Sequence, residues 1–258
     1  MPYQTLKISQ QPLVQRIQLY RPEADNGLNH TLLTELRTAL EEVESNDKIK
    51  IVVLEGLPTV FSIGMDFNAI AEQQQLPEAD PSFSAQIYYN LLKQITASAK
   101  VIISQVRGRV TAGGVGLVAA SDLVLADQTT TFTLPELLFG LLPACVLPFL
   151  IRRVGYHRAY RLALTTQSLS VQEAHLWGLV DDYGSEPEVL LRKFLQRLRR
   201  LKPENVKRLK NYIDQLRLVQ PEMQEALAVN TIAELMAKPE VQQGIRGYIQ
   251  EGTLPWQH

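Results

Sequence analysis

Two glycine-bearing loops and one isolated carboxylate carry the chemistry that this sequence can offer. The first loop, Phe61-Ser62-Ile63-Gly64-Met65-Asp66-Phe67, follows an apolar run. Gly64 lets the backbone turn sharply there, so that a following N–H, that of Met65, points outward. The second loop, RGRVTAGGVG from Arg107 to Gly116, also follows an apolar run and opens a helical stretch. The small residues Ala112, Gly113 and Gly114 give a ligand oxygen close access to N–H groups already polarised by the helix dipole. Donors of that kind stabilise an oxyanion as it forms on a substrate. Taken singly, the first loop also reads as a strand-ending turn and the second as a site of close helix packing. Phosphate binding is weakly supported, because the second loop matches neither GxxxxGK[ST] nor GxGxxG.

Glu136 is the third piece. In Phe132-Thr133-Leu134-Pro135-Glu136-Leu137-Leu138-Phe139-Gly140 it is the only ionisable side chain. Apolar surroundings raise a carboxyl pKa toward the range useful for general acid or base work. Its other reading is a helix N-terminal glutamate following proline. Arg107 and Arg109 stand at the start of the second loop, beside its glycines, and are candidates for binding an anionic group on a substrate. Asp66 can cap or orient its own loop, Tyr88 or Tyr89 can cover a ligand, and Cys145 reads as a small wall residue because no base lies near it in sequence. None of His30, His157, His175 and His258 forms a spaced pair with a carboxylate or serine, and they are read as structural.

The elements that must position these groups are legible in the hydrophobic period. Residues 3 to 20 alternate in two stretches separated by Gln10, Gln11 and Pro12, which predicts a hairpin. Leu33, Leu36, Leu40 and Val43 fall on one stripe behind the N-cap candidate Asn29, predicting a helix over 30–46. Apolar runs at 49–56, 101–106 and 122–127 predict buried strands, with helices expected near 84–97, over 114–120 and after Pro143. Repeated strand and helix units of this kind make a stacked α/β core. From about residue 186 only helical periods remain, broken at Pro203 and Pro221, and the helical tail can pack on its own core or on another subunit. The expected division is a core over 1–185 and a helical C-terminal region over 186–258. The polar stretch 71–84 is a candidate mobile lid.

Bulk composition narrows the rest. With 258 residues, 45% hydrophobic and 21% charged, the chain can bury a large core. A formal net charge of −1 gives no reason to expect nucleic acid or an anionic membrane as partner. One cysteine excludes an intramolecular disulfide, no Cys/His spacing suggests a metal, and a reducing cytoplasm fits. Neither a signal peptide nor a membrane span is recognisable.

The ordered set RPEADNGLNHTLLTEL, VFSIGMDF, VRGRVTAGGVGLVAASDLVLAD and FTLPELLFGLLP resembles the crotonase, or enoyl-CoA hydratase/isomerase, superfamily. With the helical tail, the resemblance covers essentially the whole chain. It implies a spiral of repeated ββα units with a C-terminal helical oligomerisation region, and assembly as a homotrimer or a dimer of trimers. It implies that the N–H groups of Met65 and Gly113 form an oxyanion hole for a thioester carbonyl, flanked by Gly64 and Gly114, and that Glu136 is the catalytic acid and base. It implies no cofactor, the substrate being carried as a thioester on CoA or on the phosphopantetheine of an acyl carrier protein. The family's hydratases carry a second glutamate three residues after the oxyanion-hole glycine, and Gly116 stands there in this sequence.

Within the family, FSIGMDF, VRGRVTAGG, LPELLFGLLPACVLPFLIRRVG and LSVQEAHLWGLVD look like the dehydratases of bacterial polyketide β-branching cassettes, which convert 3-hydroxy-3-methylglutaryl-ACP to 3-methylglutaconyl-ACP. On that likeness, the basic residues between Arg192 and Arg217 are candidates for docking an acidic carrier protein, a solvated helical face being the alternative. Isomerisation or hydration of acyl-CoA is the rival activity, and non-catalytic thioester binding the rival of a different class.

Overall fold

The computed structural model describes residues 3–68, 81–215 and 221–253. The expected hairpin forms from β1 (Leu6–Gln11) and β2 (Leu13–Leu19), paired antiparallel with Leu6 opposite Leu19. Helix α1 (His30–Glu44) begins where the Asn29 side chain accepts the Leu32 N–H at 2.9 Å, and it buries Leu33, Leu36, Leu40 and Val43 on one face. Behind it run β3 (Ile49–Glu55), β5 (Val101–Val106), β7 (Leu123–Asp127) and β10 (Asp182–Gly184). The six-stranded sheet has the order β1-β2-β3-β5-β7-β10, parallel except for β1.

A second sheet was not legible in the hydrophobic period. Strands β4 (Val60–Ser62), β6 (Arg109–Thr111), β8 (Thr131–Thr133) and β9 (Leu169–Ser170) lie in that order, with β4, β6 and β8 mutually parallel. Each is three residues or shorter. An alternation of period two cannot be recognised over so few positions. The repeat is therefore long strand, short strand, helix: β3 and β4 lead to α2 (Pro81–Ala97), and β5 and β6 lead to α3 (Gly113–Ala120). β7 and β8 follow, and after a 3-10 turn the chain continues into α4 (Leu147–Val154), α5 (Tyr156–Thr165) and α6 (Val171–Trp177). This is the ββα unit that the sequence likeness implies, in a mixed α/β fold.

The last four helices are α7 (Pro187–Leu198), α8 (Pro203–Gln215), α9 (Pro221–Met236) and α10 (Pro239–Glu251), each opening on a proline whose missing N–H costs nothing in a first turn. The tail packs on its own chain. Leu191 and Leu195 of α7 cover one face of the large sheet against Val14, Ile51, Val53, Val101, Ile103 and Leu125. Arg16 fixes α7 there, meeting Glu188 at 2.6 Å and Glu55 at 2.9 Å. The opposite sheet face holds the larger core, in which Leu33 and Leu36 of α1, Leu91 and Ile95 of α2 and Leu117 of α3 are fully buried. Met236, Val241 and Ile245 from α9 and α10 close onto Phe139 and Leu141.

Candidate active site

The three pieces singled out by residue type leave the same end of three adjacent parallel strands. β4 ends at Ser62 and feeds the Met65 loop, β6 ends at Thr111 and feeds Gly113, and β8 ends at Thr133 and feeds Glu136. Open α/β sheets gather ligands at the carboxyl ends of their strands for this reason. The two loops touch at their glycines. Gly64, at φ +85°, lies so close to the second loop that a Cβ there would stand 2.5 Å from the Ala112 Cβ and 2.8 Å from the Gly113 nitrogen. A Cβ on Gly114 would meet the Ser62 carbonyl oxygen at 2.7 Å.

That approach brings the loop that carries the Met65 amide against the start of α3, where the Gly113 amide stands. The Leu28 N–H donates to the Gly64 carbonyl at 2.7 Å and the Asp66 N–H donates to the Leu28 carbonyl at 3.1 Å, a parallel bridge around Met65. In such a bridge the central residue's own N–H points away from the partner strand. Gly113 is the first residue of α3, so its N–H has no partner within the helix and sits at the positive end of the dipole. Ala112, at φ +49° and ψ −120°, holds a conformation that side-chain-bearing residues rarely adopt, and it turns the Gly113 amide out of the strand direction. Met65 and Gly113 both line one cavity of about 620 Å³.

Glu136 opens the 3-10 turn Glu136–Phe139 and lines the same cavity, walled by Phe139, Leu141 and Cys145. Its Oε2 is sealed from solvent and has no hydrogen-bond partner. Burial pushes its carboxyl up to about 7. Two other described carboxylates line the cavity, but Asp66 meets Arg21 at 2.9 Å and Asp25 meets Arg109 at 2.9 Å. Among the described residues Glu136 is the cavity's carboxylate without an ion pair, in the low-dielectric wall where proton transfer benefits from a pKa near neutrality. A base must be ionised, so kcat/KM of any reaction it starts rises tenfold per pH unit below about 7 and levels above it. A limb near the ordinary glutamate value in a pH series would contradict the assignment.

The remaining candidates divide. Arg109 lines the cavity while paired to Asp25, and Asp66 lines it while buried against Arg21. Arg107 is not among the lining residues; its charge acts on the α7 side of the large sheet, opposing the burial that raises the Glu55 carboxyl and adding to the Arg16 hydrogen bond that lowers the Glu188 carboxyl. Tyr89 is likewise turned away, packing edge-on against Phe149 with ring centroids 5.4 Å apart. Of this pair the one that lines the cavity is Tyr88, one position earlier and so rotated by the helix onto the other face, with its hydroxyl donating to the Gly113 carbonyl at 2.5 Å. Cys145 is a wall residue whose thiol is pushed up to about 12 by burial.

None of the described basic residues between Arg192 and Lys210 lines the cavity. Lys210 is committed to Asp122 at 2.7 Å, whereas Arg197, Arg200, Lys207 and Arg208 are exposed. Arg217 and most of the lid candidate 71–84 lie outside the described residues. Sequence reasoning missed the far wall, Ile232 and Met236 of α9 with Tyr248 and Ile249 of α10. Nothing local distinguishes those residues from an ordinary helix stripe. No described helix is long and apolar enough to cross a membrane.

A family model described as "Enoyl-CoA hydratase/isomerase" matches residues 9–258. The chain is 43% identical over 255 residues to the bacillaene synthase dehydratase PksH of Bacillus subtilis, covering 99% of this chain and 97% of the relative. A crystal structure of a polyketide biosynthesis enoyl-CoA hydratase from the same organism superposes with a TM-score of 0.92 at 42% identity, covering 98% of this chain and all of the other. More distantly, the chain is 26% identical over 246 residues to the trans-2-decenoyl-[acyl-carrier-protein] isomerase of Streptococcus mutans, covering 92% of both.

Proposed function

Because the chain belongs to the enoyl-CoA hydratase/isomerase family, we propose that it is a carbon–oxygen lyase of polyketide biosynthesis that dehydrates 3-hydroxy-3-methylglutaryl-ACP to 3-methylglutaconyl-ACP. The observation that carries this reading is Glu136, among the described residues the cavity's carboxylate without an ion pair, raised to about 7 in the cavity that Met65 and Gly113 also line. The likeness to a polyketide dehydratase over nearly the full chain supports the substrate class.

The ionised Glu136 carboxylate takes the C2 proton, and the C–H electron pair passes through C2 and C1 onto the thioester oxygen. Two N–H donors hold that oxyanion, an interaction strongest in the transition state and worth about 3 to 4 kcal/mol per donor. As the carbonyl re-forms, the C2=C3 double bond forms and the C3–O bond breaks. The departing hydroxide leaves as water with the proton from the Glu136 acid, which restores the carboxylate. One group serves both steps on one face, and a second acid to hold an incoming water is absent where Gly116 stands.

Incubation with 3-hydroxy-3-methylglutaryl-ACP and with the corresponding CoA thioester, read by mass, tests the reading. The expected result is loss of one water, faster from the ACP thioester. Reversing the exposed Arg197 and Arg200 to Glu is expected to slow the ACP reaction and spare the CoA reaction, since carrier proteins are acidic. No water lost from either thioester would sink the dehydratase, and a shifted double bond in an enoyl thioester without dehydration would favour the isomerase in its place.

A further inference from the structure

Tyr88 and Gly116 meet at a distance that leaves no freedom to either. A Cβ built on Gly116 would stand 2.0 Å from the Tyr88 hydroxyl, 3.1 Å from its Cζ and 3.2 Å from Val146 Cγ2. The tyrosine is almost fully buried on α2, and its hydroxyl fills the space that any side chain at position 116 would need. That hydroxyl donates to the carbonyl of Gly113, which lines the cavity and whose own N–H is the second donor of the proposed hole.

The Gly113 turn is not a relaxed one. Ala112 before it holds φ +49°, ψ −120°, a conformation that persists only where surrounding contacts over-determine it. Three hydrogen bonds hold the turn: the Ala112 N–H donates to the Thr133 carbonyl at 2.9 Å, the Ala112 carbonyl, in the same peptide plane as the Gly113 N–H, accepts from the Val115 N–H at 2.9 Å, and the Tyr88 hydroxyl donates to the Gly113 carbonyl at 2.5 Å. Fixing the Gly113 carbonyl fixes the peptide plane on one side of its Cα. With the other side fixed through Ala112, the direction of the Gly113 N–H is set. We propose that Tyr88 is a positioning residue for the oxyanion hole, acting through the Gly113 carbonyl, and that Gly116 is glycine because this hydroxyl must pass where its side chain would stand.

The inference rests on the oxyanion-hole reading above and not on the identity of the acyl group, so two substrates test it. Acetoacetyl-CoA, a β-keto thioester whose bound enolate has its own absorbance, reports the hole directly. Turnover of 3-hydroxy-3-methylglutaryl-ACP reports it in the proposed reaction. Tyr88→Phe is expected to weaken enolate binding about tenfold and to lower kcat about tenfold to a hundredfold at nearly unchanged KM, the scale of a small misplacement. The limb near pH 7 stays where it is, because Glu136 is untouched.

Gly116→Ala alone drives the hydroxyl off the carbonyl and is expected to cost at least as much. In the Tyr88→Phe background the 2.0 Å clash is gone and the closest remaining contacts of the methyl are the ring Cζ at 3.1 Å and Val146 Cγ2 at 3.2 Å, which small shifts relieve, so the double variant is expected to be close to Tyr88→Phe. Non-additivity of that kind is the mark of two groups acting as one.

Losses that multiply in the double variant, a Tyr88→Phe protein that binds enolate like its parent, or a pH limb that moves with the substitution would each overturn the proposal. Coupling seen with acetoacetyl-CoA in a protein that dehydrates nothing would refute the dehydratase and leave the positioning role standing. No enolate formation in the parent protein would refute both.

Discussion

Glu136→Gln is expected to remove a thousandfold or more of the turnover and, at about pH 8, to give a protein that melts higher than its parent. The two effects have one cause. An ionised carboxylate whose Oε2 is sealed from water without a hydrogen-bond partner is held at a cost, and the folded state answers by keeping its proton up to about pH 7. The folded pKa lies above the unfolded one, so the folded state binds the proton more tightly. No cost is felt below the unfolded value near 4.5; it grows as pH rises through about 7 and is constant above. Over that difference the cost is on the order of 3 kcal/mol.

A neutral amide of the same shape escapes most of it but must find partners for its own N–H groups, so a gain of about 1 to 2 kcal/mol, or a few degrees in Tm, is expected. Melting Glu136→Gln and its parent at about pH 5 and about pH 8 checks this: the gain belongs to the higher pH and shrinks at the lower. Retained turnover would remove Glu136 from the reaction. A variant that melts lower at about pH 8 would mean that the carboxylate finds solvation or a partner that its sealed position denies. Thioester affinity should change little, because the Met65 and Gly113 amides remain.

Much of this site was readable before any fold was known, and the readable part has a common character. Gly64 and Gly114 are constrained by the close approach of backbone, and a glycine required by a turn or a close approach stands out in sequence. Glu136 stood out as a lone ionisable group among apolar neighbours, although its desolvation comes from the fold: Leu137 and Leu138 are exposed, while Phe139, Leu141 and Cys145 line the cavity with it. The long strands and α1 were legible because their residues face one core over several periods.

What escaped depends on tertiary placement. The short strands β4, β6 and β8, which deliver all three chemical groups, owe their existence to lateral pairing with one another. Between Tyr88 and Tyr89 a helix rotation of one residue decides which ring sees the cavity, and the sequence offered no reason to prefer the first. Arg107 and Arg109 lie on either side of Gly108, whose φ of +64° redirects the chain between them, so only one reaches the cavity. The wall built from α9 and α10 comes from residues about a hundred positions away from Glu136, and contact across that separation leaves no local trace.

Gly64→Ala is expected to lower kcat/KM about a hundredfold to a thousandfold, the scale of losing one oxyanion donor. The added methyl would stand 2.5 Å from the Ala112 Cβ, 2.8 Å from the Gly113 nitrogen and 3.0 Å from the Thr111 carbonyl oxygen, and two of those three neighbours are backbone atoms that cannot swing aside. The two loops must therefore separate, and the amides of Met65 and Gly113 can no longer reach one oxygen. Part of any loss could come from general destabilisation, because alanine at φ +85° is strained wherever it stands.

Gly178→Ala removes that ambiguity. Gly178, at φ +81° at the end of α6, carries a similar backbone penalty, but a Cβ there meets nothing closer than 3.9 Å and the residue does not line the cavity. It should lose about 1 kcal/mol of stability and keep its kcat. Urea midpoints and steady-state kinetics on both variants separate strain from misplacement. Equal losses of activity at equal losses of stability would mean that Gly64 serves the fold alone, and that the approach of the two loops does not set the hole.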